Sequence, residues 1–376
     1  MMTRRHPSWP WPVCVATALL ASTGCGPSPL GVATHPAQPP SDSISDGTGA
    51  LPASDEPPRF AATLIPTDPT RYPYNHAASI AELPNGDLIV AWGAGSRELG
   101  NDTVIVMSRR PTGETTWTDP VVVADRPDRA DANPVLFVDD GGRARLFHVE
   151  MFGQTFCLGR VVVQTSDDLG RTWSSPRPAF DAICVMVRSH PIVTRGGRWV
   201  MPAYIQGVYA SQFWLSDDHG ETWWPTASLF SFPENNLQPA VVELDDGTLF
   251  ALMRRAGLDA AFTWEARSHD GGATWTTRRR DDLRTPDSGL DMIRLAGGAL
   301  LVAYNNSPRK RTPLVVAWSV DAGRTWSTPK TVEAGDPELS YPCLLQGRDG
   351  TIHLVYTHRK SAIMHVEFNG AWLHAP

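Results

Sequence analysis

The sequence predicts an all-β protein, a six-bladed β-propeller, and two patterns carry that expectation. The first is a recurring S-x-D-x-G-x-x-W motif. It appears as Ser166, Asp168, Gly170 and Trp173; as Ser216, Asp218, Gly220 and Trp223; as Ser268, Asp270, Gly272 and Trp275; and as Ser319, Asp321, Gly323 and Trp326. A degenerate copy runs from Ser108 through Gly113 to Trp117. In each copy the aspartate is expected to bond turn N–H groups, the glycine to take the positive φ of a tight reversal, and the tryptophan to pack beneath. A period of about 50 residues is the length of one four-stranded sheet, the unit of a propeller blade. The second pattern is six apolar hairpins, which reverse at Pro84-Asn85-Gly86, Asp140-Gly141, Arg195-Gly196-Gly197, Asp246-Gly247, Ala296-Gly297-Gly298 and Asp349-Gly350. Runs such as Leu88 to Trp92 and Leu249 to Met253 suit strands, and no stretch sustains a helical period.

Taken in order, the chain opens with Arg4 and Arg5, an apolar run from Val13 to Ala21, and then Ser22-Thr23-Gly24-Cys25. Residues 1–25 therefore read as an export signal, too short to be a stable membrane span. Cys25 resembles the lipidation cysteine of bacterial lipoproteins, although Ser22 stands where that motif prefers Leu, and a signal for soluble export is the alternative. Residues 26–57, rich in Pro, Ser, Gly and Asp, read as a disordered tether with little to bury. Residues 58–376 form the propeller, whose last blade lacks the motif. Its outer strand, around Met364 to Phe368, is expected beside Arg59 to Leu64, closing the ring with both chain ends and leaving no free edge.

A net charge of −7 gives no reason to expect nucleic acid as a partner. A monomer is expected, touching a membrane only through a lipid at Cys25. Among the body cysteines, Cys157 and Cys184 fall on neighbouring blades, where an exported protein could pair them; three small buried residues, Cys343 included, is the other reading. There is no His/Cys cluster with metal spacing, no phosphate-cradling glycine loop and no Ser-His-Asp arrangement in register, so neither a metal nor a cofactor is expected.

The first strand of every propeller blade lines the central channel, so its entry residues converge near the axis. Aligned on the turns, the hairpins place His76, Asn133, His190, Gln238, Asp291 and Tyr341 at approximately equivalent positions. All six are polar, yet they differ in chemistry, which is where function departs from scaffold in a repeat protein.

The repeated motif is the Asp-box, or BNR repeat, and residues 58 to 376 resemble the sialidase (neuraminidase) superfamily of six-bladed propellers. In that family a tyrosine is the nucleophile, because a carboxylate would be repelled by the carboxylate on the sugar's anomeric carbon. Tyr341, in Leu339-Ser340-Tyr341-Pro342, matches it in register from the turn. Three arginines grip the substrate carboxylate there, since a planar guanidinium binds it bidentately. Arg254 matches one of them, and Arg311, in Arg311-Thr312-Pro313, resembles another. Arg97 follows its glycine as an arginine does in sialidases and is a candidate to hold an acidic sugar.

Two departures stand out. Asn75-His76-Ala77 occupies the place where sialidases carry Arg-Ile-Pro, so the third arginine is missing there. Gln238 holds the position of the glutamate that activates the tyrosine, and an amide cannot take a proton. His76, expected beside Tyr341 across the ring closure, or Asp291 on its other flank, is the candidate base. The family's acid/base is an Asp in the loop after the first return strand, and the corresponding loop offers Glu98 and Asp102.

The resemblance implies an exported glycoside hydrolase that releases a terminal, acidic sugar from a glycan or glycoconjugate. A glycosidase of the same fold with another substrate, and a surface carbohydrate-binding propeller without turnover, are the alternatives.

Overall fold

A computed structural model describes residues 51, 56–231, 234–257 and 261–375. The export signal, Cys25 and most of the 26–57 tether lie outside the described residues. Six antiparallel sheets follow one another along the chain. Blade one comprises Tyr74–Glu82, Leu88–Gly95, Val104–Arg110 and Val121–Ala124, and blade two Asp131–Val138, Ala144–Met151, Gly159–Ser166 and Arg177–Pro178. Blade three has a first strand broken into Val185–Val187 and Ile192–Val193, followed by Trp199–Ile205, Ala210–Ser216 and Trp224–Pro225. Blade four comprises Leu237–Glu243, Leu249–Arg254, Thr263–Ser268 and Thr276–Arg280, and blade five Asp291–Arg294, Leu300–Asn305, Leu314–Ser319 and Lys330–Glu333.

Blade six is built from both ends of the propeller. Leu339–Gln346, Ile352–His358 and Ala362–Phe368 are completed by Phe60–Ile65, in the register Phe60 to Phe368 and Leu64 to Met364. This is the closure that the alternating runs predict, and it pairs an edge that would otherwise be open. The helix Gly370–His374, capped by Asn369, stacks Trp372 on Phe60 at 4.8 Å and secures the closing strand. Among the described residues no helix is long and apolar enough to cross a membrane.

Apolar side chains alternate along the middle strands and bury between blades. Each of six clusters joins one neighbouring pair: Ile89 with Leu146, Phe147 with Met201, Phe213 with Leu249, Phe250 with Val315, Val316 with Tyr356, and Trp92 with Val355. The ring is thus sealed by burial all the way round, the dominant favourable term in folding.

The Asp-boxes supply the hairpin reversals as the motif predicts. In the blade-three box the Ser216 hydroxyl accepts the Gly220 N–H at 2.8 Å and donates to Asp218 at 2.8 Å, while Asp218 accepts the Thr222 N–H at 2.9 Å. The same bonds recur around Asp168, Asp270 and Asp321. At Gly323 the backbone has φ +77°, and a Cβ would lie 2.7 Å from the Phe250 ring of the neighbouring blade. Only glycine meets both demands.

The first strands of blades one, two, four and six each carry a β-bulge. Ala77, Asn133, Gln238 and Tyr341 sit at these bulges with φ of +62°, +49°, +52° and +55°. Each stands nine residues before the positive-φ glycine of its turn: Gly86, Gly142, Gly247 and Gly350. Pro134, Pro239 and Pro342 follow three of them, and a residue without an N–H suits a break in the ladder.

By this register the equivalent residues of blades three and five are Arg188 and Gly289, not His190 and Asp291, and in blade one Ala77, not His76. The broken first strand of blade three and the short one of blade five hide the shift when the turns alone are aligned.

Candidate functional site

Tyr341 is where the bulged strands meet. A bulge re-aims a side chain out of the strand's alternation, and a non-glycine residue in the left-handed region costs about 1 kcal/mol or more, the kind of strain that clusters at functional sites. The Tyr341 phenol oxygen accepts from Gln238 Nε2 at 3.3 Å and from Arg254 Nη1 at 3.3 Å. Gln238 also donates to the Tyr204 hydroxyl at 3.2 Å, and Asn133 donates to that same oxygen at 3.2 Å and to the Val187 carbonyl at 3.1 Å. The polar residues of blades two, four and six therefore form one hydrogen-bonded chain through Tyr204 on blade three. Gly289 makes room for it: a Cβ there would lie 3.1 Å from Gln238 Oε1 and 3.4 Å from Tyr341 Cδ1.

Three guanidinium groups surround the phenol. Arg254, buried, bonds its oxygen and pairs with Asp287 at 3.0 Å. Arg311 lies 5.7 Å from the Tyr341 ring centroid and pairs with Glu338 at 2.9 Å, and its Nε donates to the Asp287 carbonyl at 3.2 Å. Glu338 also accepts the Ser340 hydroxyl at 3.0 Å. Arg188, 5.1 Å from the ring centroid, donates one Nη2 to the Tyr341 carbonyl at 2.7 Å and to the Pro342 carbonyl at 2.9 Å. Burial works to raise the phenol's pKa, but Arg254, Arg311, the Gln238 amide and Arg188 together outweigh it, and the net effect is downward. Tyr204 is pushed up to about 12 by burial and by Tyr341, which outweigh the lowering from Gln238, Arg254 and Asn133.

His76 packs its ring edge against the Tyr341 ring, with centroids 4.5 Å apart, and its buried Nδ1 has no hydrogen-bond partner among the described residues. Burial first, then Lys360, Arg311, Arg188 and Arg254, holds its pKa well below the usual histidine value, so it is a neutral imidazole. Its contact with Tyr341 is ring to ring, while the phenol oxygen is served by Gln238 and Arg254. Tyr74, 5.8 Å from His76 ring to ring, completes this wall, its pKa raised by burial and then by Glu98 and Tyr341.

The loop after the first return strand divides its two acids. Glu98 pairs with Lys360 of blade six at 2.9 Å and sits within electrostatic reach of Tyr74. Asp102 accepts the Ser96 N–H at 3.0 Å and the Ser96 hydroxyl at 2.9 Å, bracing its own loop. Arg97 has an exposed side chain, and its carbonyl accepts the Gly100 N–H at 3.0 Å.

His190 and Asp291, each two residues beyond the bulge register, form a separate group. Asp291 Oδ2 accepts the Leu344 N–H at 2.8 Å and lies 3.7 Å from His190 Nε2, whose other ring nitrogen is 3.8 Å from Cys343 Sγ. Burial lowers the pKa of His190, but Asp291 and Cys343 prevail and push it up to about 9. Cys157 and Cys184 are not joined in a disulfide; the Cys184 thiol instead donates to the Cys157 carbonyl.

The sequence alone does not single out Arg188, Tyr204, Tyr74, Asp287, Glu338 or Lys360. Arg188 was within reach, since it stands nine residues before Gly197 as Tyr341 does before Gly350. The others arrive from return strands and connecting loops, for which no repeat register exists.

A closed ring of six blades with a tyrosine and arginines converging at its hub defines a six-bladed β-propeller of the Asp-box type. The chain belongs to the BNR repeat-like domain family, whose model matches residues 86–354. No curated protein sequence matches it. Among solved structures it is similar to the intramolecular trans-sialidase from Ruminococcus gnavus in complex with oseltamivir carboxylate, with a TM-score of 0.68 and 17% identity over 82% of this chain and 97% of that one. It is similar also to the Hadza microbial sialidase Hz136, with a TM-score of 0.66 and 21% identity over 78% of this chain and 65% of that one. A third relative in fold is the Penicillium chrysogenum α-L-arabinanase complexed with arabinobiose, with a TM-score of 0.63 and 15% identity over 83% of this chain and 98% of that one.

Proposed function

We propose that the protein is an exported, monomeric glycoside hydrolase of sialidase type that releases a terminal acidic sugar from a glycan, with Tyr341 as nucleophile. The observation that carries the reading is the Tyr341 phenol oxygen, held by two N–H donors and ringed by three guanidinium groups that lower its pKa against burial. A phenol near its usual pKa of about 10 is a weak nucleophile at neutral pH and needs help. In this reading the help is electrostatic, and it replaces the base that Gln238 cannot be.

The sugar carboxylate is held by Arg254 and Arg311, which keep donors beyond those used on Asp287 and Glu338. The phenolate oxygen bonds the anomeric carbon while the glycosidic C–O bond breaks, and Glu98, at the mouth beside Tyr74, protonates the departing oxygen. Water then attacks the same carbon and gives its proton to Glu98, and the phenolate leaves. His76 and Gln238 hold the phenol in place. Export rests on the N-terminal charge and apolar run, with Cys25 as the residue for a lipid.

The experiment is release of sugar from fluorogenic sialosides beside a panel of uncharged glycosides, including arabinosides. Sialic acid released by the wild type and not by Tyr341→Phe supports the proposal. Turnover of uncharged glycosides alone moves the assignment to another glycosidase of this fold, and glycan binding without turnover makes it a lectin-like propeller.

A further inference from the structure

Blades three, five and six bring His190, Asp291 and Cys343 together at the hub, with one ligand atom from each lying within 4.8 Å of the others. We propose that this trio is a binding site for one transition-metal ion of zinc type, with a ring nitrogen of His190, the Asp291 carboxylate and the Cys343 thiolate as ligands.

The separations fit. Tetrahedral zinc holds nitrogen at about 2.0 Å and sulfur at about 2.3 Å, which places the two about 3.5 Å apart. Here His190 Nδ1 lies 3.8 Å from Cys343 Sγ, near that separation. An imidazole gives one ion one nitrogen, and with one atom from each residue all three lie within 4.8 Å of one another, so the carboxylate closes by about an ångström on loading. The carboxylate is prepared for a ligand's role: Oδ2 is fixed by the Leu344 N–H at 2.8 Å, while Oδ1 is fully buried with no hydrogen-bond partner among the described residues. A buried carboxylate oxygen left unbonded is destabilising, and a cation relieves it. Asp291 and Cys343 are buried and His190 is partly open, so three protein ligands leave a fourth position for water. The thiolate excludes the hard ions calcium and magnesium.

A second group is His353, His365 and Glu367, of which His353 and Glu367 border a cavity of about 620 Å³ between blades one and six. Its carboxylate already pairs with Arg110 at 2.7 Å, a cation where the metal would sit. The hub site is independent of the glycosidase reading, and its ligands are unreadable from spacing because they come from three blades.

The test titrates the full chain, stripped with a chelator and kept reduced, with cobalt(II). A thiolate-to-cobalt charge-transfer band saturating at one ion per chain, displaced by zinc, is expected. It should disappear in Cys343→Ser and weaken at least tenfold in affinity in Asp291→Asn, while Cys157→Ser and His353→Gln keep it. A wild-type protein without the band, or a band that survives Cys343→Ser, overturns the proposal. Zinc-edge X-ray absorption of the zinc-loaded wild type needs no variant: one sulfur among the ligands supports the site, and none or two overturns it.

Discussion

Gln238 donates its amide N–H to the Tyr341 phenol oxygen across 3.3 Å, and the two residues occupy the same left-handed bulge position on the first strands of blades four and six. Two equivalent points of the repeat have thus become partners in one bond. The amide and Arg254 both present N–H groups to that oxygen, so the surroundings stabilise its anion instead of accepting its proton.

The first prediction concerns that anion. Because Arg254 favours the charged form, Arg254→Gln raises the Tyr341 pKa, and each unit of rise cuts the phenolate fraction at neutral pH about tenfold. NMR titration of ring-labelled tyrosines, with Tyr341→Phe to assign the signal, measures the shift directly. On a substrate that is turned over, the alkaline rise of kcat should move in step. A phenol whose pKa is unmoved or lower in Arg254→Gln defeats the electrostatic account.

Gly289 tests how tightly the hub is packed. Its φ is not in the left-handed region, so Gly289→Ala brings no backbone strain, only a Cβ 3.1 Å from Gln238 Oε1. Misplacing reacting groups by a fraction of an ångström to an ångström lowers rates by roughly tenfold to a hundredfold. We expect a fall of that size in kcat with little change in melting temperature. Gly207→Ala, whose Cβ would meet nothing within 4 Å among the described residues, is the neutral control.

How much of this was legible beforehand follows from what repeats. The Asp-boxes and turn glycines repeat, because every hairpin needs the same reversal, and they disclose six blades and the closing pairing of Phe60 with Phe368. The hub residues do not repeat. Tyr341, Gln238 and Asn133 could be found because their blades preserve the nine-residue distance to the turn glycine, and Pro134, Pro239 and Pro342 mark the bulges. His190 and Asp291 stand two residues nearer the turn glycine than that distance; Arg188 and Gly289, which keep it, lie outside the strands that blade three breaks and blade five shortens. Glu98 and Asp102 look alike as letters. Lys360, from another blade, and Ser96, from the same loop, separate them only in space.

Arg188 supplies a third prediction. Its Nη2 bridges the Tyr341 and Pro342 carbonyls, so it positions the bulge as well as adding charge beside the phenol. Arg188→Lys keeps the charge and loses the planar fork. It should leave the Tyr341 pKa closer to wild type than Arg188→Met does, while kcat drops roughly tenfold or more in both. If the two variants shift the phenol equally, charge is not what Arg188 contributes to the titration. If kcat survives Arg188→Lys, the bridge is dispensable.

The Asp-boxes make the last prediction, on stability against pH. Bonds from Thr222 and Ser216 hold the Asp218 carboxylate down to about 2, below its ordinary value of 3.8. A carboxylate depressed on folding contributes stability above its unfolded pKa and loses it as pH falls through the folded one. Asp218→Asn carries no titrating group, and its amide cannot accept from both Thr222 groups and Ser216 as the carboxylate does. The variant should therefore melt below wild type at neutral pH by the equivalent of about 1 kcal/mol, the usual worth of such a turn or cap bond. Between about pH 4 and pH 2 the wild type loses the advantage and the two melting curves converge. Asp168, Asp270 and Asp321 are held down in the same way, so combining their Asn replacements should flatten the acid limb of the whole propeller. Melting temperatures measured from pH 7 to pH 2 check it: a gap between wild type and Asp218→Asn that stays constant, or widens, as the pH falls would show that the carboxylate's charge is not what secures the turn.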